Sequence, residues 1–167
     1  MTVEELRVAL VGYGMAGREI HAPLLRECAG LRVTHVVTSN AERAEAARAE
    51  LPGVTVVPSA DDVWEAADRI DLVVIASPNT AHVEQAVAAI ETGTAVVVDK
   101  PLATDAGHAR RVVDLAAERA VPLTVFQNRR WDSDHLTARR VLADGAVGDV
   151  IRLEARYERW RPVPKQR

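Results

Sequence analysis

The chain has 167 residues, 48% of them hydrophobic and 27% charged, with 21 basic and 24 acidic side chains and a formal charge of −3. That balance excludes a basic nucleic-acid-binding stripe and a disordered chain, and no apolar run nears the roughly 18 residues of a membrane span. A single cysteine, Cys28, excludes an internal disulfide and a cysteine-cluster metal site. With no basic start and long apolar stretch at the N-terminus, the expected setting is the cytoplasm.

In chain order, short β-branched runs alternate with alanine-rich helical stretches. Strands are predicted at 6–11, 32–38, 54–57, 72–76, 95–98 and 123–126. Most are nearly continuous Val, Ile and Leu, the pattern of parallel strands covered on both faces. The first helix contains Pro23, which predicts a kink or a late start. Asn40 caps the next helix, with Ala44, Ala47 and Leu51 inward and Pro52-Gly53 beyond. Thr80 is expected to cap a helix bearing Val83, Val87 and Ile90 on one face. Thr104 is expected to start another, with Val112, Val113, Leu115 and Ala116 inward. Strand–helix alternation at this spacing implies right-handed crossovers, hence an α/β fold with a doubly wound parallel sheet of the Rossmann type.

The pattern changes after Phe126. A polar loop at 127–133 leads to a helix over 134–144, closed by Gly145. Residues 151–158 then alternate strictly between apolar and charged, as a strand with one dry face does. Such a strand is not stable alone. The sequence therefore divides into 1–126, a dinucleotide-binding domain, and 127–167, the start of an α+β substrate and dimerisation domain that appears truncated. The alternative is a strand added to the first sheet or exchanged with another copy.

Gly12-Tyr13-Gly14-Met15-Ala16-Gly17 follows the first predicted strand and opens a helix, the context a GxGxxG motif requires. Gly12 permits the turn, Gly14 lets a diphosphate approach the backbone, and Gly17 lets helix pack on strand. The helix start offers unpaired N–H groups to phosphates. At the end of the second strand, NAD sites place an acid to hold the ribose 2′-hydroxyl. This chain has Thr38-Ser39-Asn40 instead, with Arg43 one turn on, which favours a 2′-phosphate and hence NADP over NAD. The alternative reading has Ser39 and Asn40 capping a helix while Arg43 pairs with Glu42 or Glu45; capping and binding are compatible.

Ser77-Pro78-Asn79 with His82, and Asp99-Lys100-Pro101, sit just past strand carboxyl ends, where open α/β sheets bind ligands. Taken singly, these are an ordinary turn, a first-turn histidine and a solvated lysine. Together they converge on the crevice beside the glycine loop. There Lys100 can accept a proton from, or hydrogen-bond to, a substrate hydroxyl as hydride leaves its carbon. His21 is read as structural, with an approach to the substrate side as the alternative. His35, His108 and His135 are read as packed or solvated groups. Arg129 and Arg130 are either a solvated pair beside Asp132 and Asp134 or, for Arg130, a ligand contact. Trp131 and Trp160 are read as packing anchors.

The glycine loop, Ser77-Pro78-Asn79 with His82, Asp99-Lys100-Pro101 and Asn128-Arg129-Arg130-Trp131-Asp132 together resemble the glucose–fructose oxidoreductase/inositol dehydrogenase/rhizopine-catabolism (Gfo/Idh/MocA) family. Within it they are most similar to the NADP-dependent scyllo-inositol dehydrogenase branch. The resemblance implies dehydrogenation of sugars or polyols, with Lys100 as the catalytic lysine. It also implies Asn79, His82, Asp99 and Asn128 around the nicotinamide ribose, Arg130 near the substrate, and a homo-oligomer in the full-length protein. The family usually has Glu where this chain has Asp99. Its general-base histidine lies on second-domain helices that no part of this chain matches. Two functions follow: an NADP-dependent sugar or polyol oxidoreductase, or a cofactor-binding module without turnover.

Overall fold

The computed structural model describes residues 5–163. These residues fall into two compact units that divide between Gln127 and Asn128.

The first unit alternates strand and helix throughout. Its elements are β1 (Leu6–Val11), a π turn (Gly17–His21), α1 (Ala22–Glu27), β2 (Leu31–Val37), α2 (Ala41–Glu50) and β3 (Thr55–Val57). Then come α3 (Asp61–Glu65), β4 (Leu72–Ile75), α4 (His82–Glu91), β5 (Ala95–Asp99), α5 (Ala106–Glu118) and β6 (Leu123–Phe126). The six strands form one parallel sheet in the order β3-β2-β1-β4-β5-β6. Chain direction reverses its walk across the sheet between β1 and β4, and the crevice outside their carboxyl ends is where such sheets hold ligands.

Both sheet faces are dry, so the strands read as unbroken apolar runs. Ala9, Val11, Val73, Ile75, Val96 and Val98 point to the face covered by Ala86, Ala89 and Ile90 of α4 and by Val112 and Ala116 of α5. Val8, Leu10, Val33, Val36 and Val74 point the other way, against Ala22 and Leu25 of α1 and Ala47 and Leu51. Between β1 and β2 the register slips by one residue after Val8, leaving Thr34 as the extra residue. The Thr34 hydroxyl donates to the Val8 carbonyl at 3.4 Å.

Several helix ends differ from expectation. Asn40 does cap α2, its Oδ1 accepting the Arg43 N–H at 2.9 Å. Thr80 does not cap α4: Asn79–Ala81 forms a 3-10 turn, and α4 begins at His82 with no side-chain cap. The cap of α5 is Asp105 rather than Thr104, because its carboxylate accepts the His108 N–H at 2.9 Å. Carboxylates accept such a bond as well as a hydroxyl does, and one residue of phase was enough to choose. Val113 is 50% exposed, so the inner stripe of α5 is Val112 and Ala116 with Leu115 at its edge. Pro23 stands in the first turn of α1, which starts at Ala22, in line with the expected late start. It follows a π turn in which the Ala22 N–H reaches back to the Gly17 carbonyl, and the widened turn accommodates a residue with no N–H of its own.

The second unit holds a 3-10 turn (Asn128–Trp131) and α6 (Ser133–Ala143). No strand forms at 151–158, where every residue is exposed. Alternation supplies a face, but a strand also needs a neighbour to satisfy its backbone, and none pairs with it among the described residues. Trp131 and Trp160 are 77% and 85% exposed, so neither anchors packing here.

Candidate functional site: the cleft at the sheet's switch point

The glycine loop is built by steric demand at its ends. Gly12 holds φ +100°, and a Cβ there would lie 2.8 Å from the Ala76 carbonyl oxygen at the end of β4. A Cβ on Gly17 would fall 2.0 Å from the Gly12 carbonyl oxygen. Both positions require glycine for the loop to close against the sheet. Gly14 does not: a Cβ there would meet only the Arg43 guanidinium, at 3.7 Å. The protein's own packing leaves the space above Gly14 open.

That space is a cleft of about 350 Å³. Gly12, Tyr13, Gly14, Met15 and Ala16 form its floor, with Thr38, Ser39 and Arg43 on one side and Ala76, Ser77, Pro78 and Gln85 on the other. None of the lining residues is acidic. The Arg43 side chain makes no ion pair with Glu42 or Glu45; α2 presents it to the cleft. Asn40 caps α2 through its Oδ1 and is not among the residues lining this cleft. Tyr13 turns its ring inward, 1% exposed, and its hydroxyl donates to Glu50 Oε2 at 2.7 Å. Burial, then the Glu50 bond, pushes that phenol well above its usual range. Glu50 also takes the Arg18 guanidinium, whose hydrogen bond holds its carboxyl below the ordinary value. One carboxylate thus ties both ends of the glycine loop to α2.

Beside the cleft, Ser77 and the lysine loop are joined through His82, which is 1% exposed. Its Nε2 lies 3.0 Å from the Ser77 carbonyl oxygen and its Nδ1 2.8 Å from that of Pro101. A neutral imidazole carries one N–H, which can donate to either of these carbonyls, and the ring spans the gap between them. His82 therefore clamps the end of β4 to the loop after β5. The Ser77 hydroxyl donates to Gln85 Oε1 at 2.6 Å. Asp99, the last residue of β5, accepts the Lys100 backbone N–H at 2.7 Å, and the Lys100–Pro101 peptide is cis. Lys100 is exposed.

His21 faces this cluster from the π turn. It is 4% exposed, its ring lies 4.5 Å from that of Phe126, and its Nε2 stands 3.8 Å from Asp99 Oδ2.

The structure thus brings together Gly12 to Ala16, Ser39, Arg43, Ser77 and Pro78 around one cleft, with Gly17 beneath it. His82, Asp99 and Lys100 form a linked cluster beyond. Asn79 lines a different groove, between α4 and α5, with Thr104, His108 and Arg111. Asn128 and Arg130 lie in the second unit. There Arg129 pairs with Asp132 and lies 5.2 Å over the Tyr157 ring, holding that phenol below its usual value. Pro58, Gln85 and Glu50 escaped the sequence reading. Pro58 follows β3 at the carboxyl edge and was findable by that rule. Gln85 and Glu50 sit on helices whose polar positions carry no periodic signal.

A family model described as "Oxidoreductase family, NAD-binding Rossmann fold" (GFO_IDH_MocA) matches residues 6–127. The chain is 39% identical to the uncharacterized oxidoreductase YdgJ of Escherichia coli, over 98% of this chain and 46% of that protein. It is 31% identical to the scyllo-inositol 2-dehydrogenase (NADP(+)) IolW of Bacillus subtilis, over 99% of this chain and 45% of that protein. Among solved structures, an oxidoreductase of Yersinia pestis is 37% identical and superposes with a TM-score of 0.90, covering 98% of this chain and 46% of that one. The chain therefore spans less than half the length of these relatives.

Proposed function

The chain belongs to the Gfo/Idh/MocA oxidoreductase family, with its NAD-binding Rossmann fold, and on that premise we propose that it binds NADP in preference to NAD and serves hydride transfer between the nicotinamide and a hydroxyl or ketone of a sugar or inositol-like polyol. The observation that carries the reading is the open space above Gly14, bordered by an arginine and free of carboxylates. The glycine-loop amides would hold the diphosphate, Ser39 and Arg43 the adenosine 2′-phosphate, and Ser77 and Pro78 the path toward the nicotinamide. A carboxylate some 4 Å from that phosphate would oppose it by about 4 kcal/mol at intermediate dielectric; here a cation takes that place. The naming of IolW as an NADP(+) enzyme supports the same choice.

Bound there, the nicotinamide supplies the carbon that accepts or returns hydride. The protein's part is proton handling and orientation. Lys100 holds the substrate hydroxyl and takes its proton. Asp99 fixes the Lys100 backbone, and His82 keeps the Lys100 loop beside the cleft. Asn79 and Asn128 are proposed for the nicotinamide ribose and Arg130 for the substrate. Residues 127–167 are proposed as the opening of a substrate and assembly domain in a cytoplasmic homo-oligomer.

A second reading is a module that binds the cofactor without turnover. Fluorescence titration with NADPH and NADH, then incubation with NADP and a panel of inositols and aldoses, separates the two. Binding with turnover supports the oxidoreductase, and binding without it the module. No binding of either nucleotide rejects both.

A further inference from the structure

Among the described residues, His21 Nε2 is the buried side-chain nitrogen or oxygen that makes no hydrogen bond. Buried polar atoms are nearly always paired, so an orphan at a site edge calls for a reason. His21 is 96% buried by its 4% exposure, and its ring is tilted 51° against Phe126. Phe126 in turn is the register partner of Asp99 across β5 and β6. The ring is thus confined between two strand ends and aimed at a carboxylate. Asp99 Oδ1 already accepts the Lys100 N–H, while Oδ2 faces His21 at 3.8 Å. A shift of under ~1 Å would bring that pair to hydrogen-bond distance.

We infer that His21 is a positioning residue for Lys100: its Nε2–H engages Asp99 Oδ2 and so fixes the carboxylate that holds the Lys100 backbone. The contact links the helix rising from the glycine loop to the loop bearing the lysine. One framework then sets both the cofactor's diphosphate and the group proposed to take the substrate's proton. The inference rests on the reading of Lys100 given above. Burial pushes the His21 ring below its ordinary value, against the pull of Asp99, which favours the neutral ring. A neutral ring carries one N–H, and beside Asp99 the favoured tautomer has it on Nε2.

NMR on the ligand-free chain tests this apart from cofactor binding. The expected result is a His21 ring protonated at Nε2, with 15N shifts that move in Asp99→Asn. In His21→Phe, which keeps the stacking on Phe126, the Lys100 amide resonance should lose its downfield position. In His21→Gln, whose amide nitrogen reaches the same point as Nε2, it should return. A ring protonated only at Nδ1, or a Lys100 amide unmoved in both variants, overturns the inference. Should His21→Phe not fold, the wild-type tautomer and His21→Gln still decide it. NADPH titration of the same samples reports separately on the functional reading: a chain that shows the His21–Asp99 contact yet binds no nucleotide keeps the contact and rejects the cofactor.

Discussion

Arg43 reaches back from the first turn of α2 over Gly14, its Nη1 3.7 Å from the point a Cβ on that glycine would occupy. The cation and the bare backbone face the same cleft, one offering charge and the other offering approach. Replacing Arg43 with Ala should weaken NADPH about tenfold or more, ~1.4 kcal/mol, with much less effect on NADH. Parallel fluorescence titrations read the ratio. An equal loss for both nucleotides would argue against a 2′-phosphate contact.

The loop's glycines should separate into two kinds. Gly17→Ala drives a Cβ into a backbone carbonyl and should cost about 3 kcal/mol or more. Gly14→Ala meets only the end of a flexible side chain and should shift stability by less than about 1 kcal/mol while lowering nucleotide affinity. Thermal melts beside nucleotide titrations check this. A Gly14→Ala protein that binds NADPH normally would mean that the diphosphate does not lie over this residue.

Lys100→Ala should cut polyol oxidation by about 10²–10⁴-fold while leaving NADPH affinity nearly unchanged. Lys100 is exposed, so the substitution leaves the core intact. Steady-state rates of wild type and variant decide the matter, and equal rates remove the lysine from the chemistry.

At the opposite end of the sheet, Arg7 grips Asp71 through its side chain at 2.9 Å and its backbone N–H at 2.7 Å. Those bonds hold the Asp71 carboxyl down to about 2 from an ordinary 3.8. A depressed carboxyl stabilises the fold above its unfolded value, and that share is lost as pH falls from 3.8 toward 2. With Asp71 32% exposed, screening leaves a contribution of about 1 kcal/mol. Urea unfolding should show Asp71→Asn less stable by that amount at neutral pH and converging on wild type as the pH falls below about 2. A constant difference across the range would show that the carboxylate charge is not what stabilises.

Local residue patterns were enough to specify the sheet. Unbroken runs such as Val8 to Val11 and Leu72 to Ile75 can be satisfied only with helices on both faces, and Gly12 and Gly17 stand where backbone meets backbone. The sequence also located the cleft, since strand ends and glycine loops are local features. What needed the fold was everything set by contact between distant segments. That His82 joins Ser77 to Pro101, that Glu50 holds Tyr13 and that His21 faces Asp99 follow from groups 5 to 78 positions apart meeting across packed elements. The start of α5 at Ala106 turned on one hydrogen bond that a neighbouring residue could have made, while α4 begins at His82 with no side-chain cap. The alternating segment at 151–158 marks the other limit. Periodicity states which face wants burial, but only a neighbouring strand turns that preference into structure.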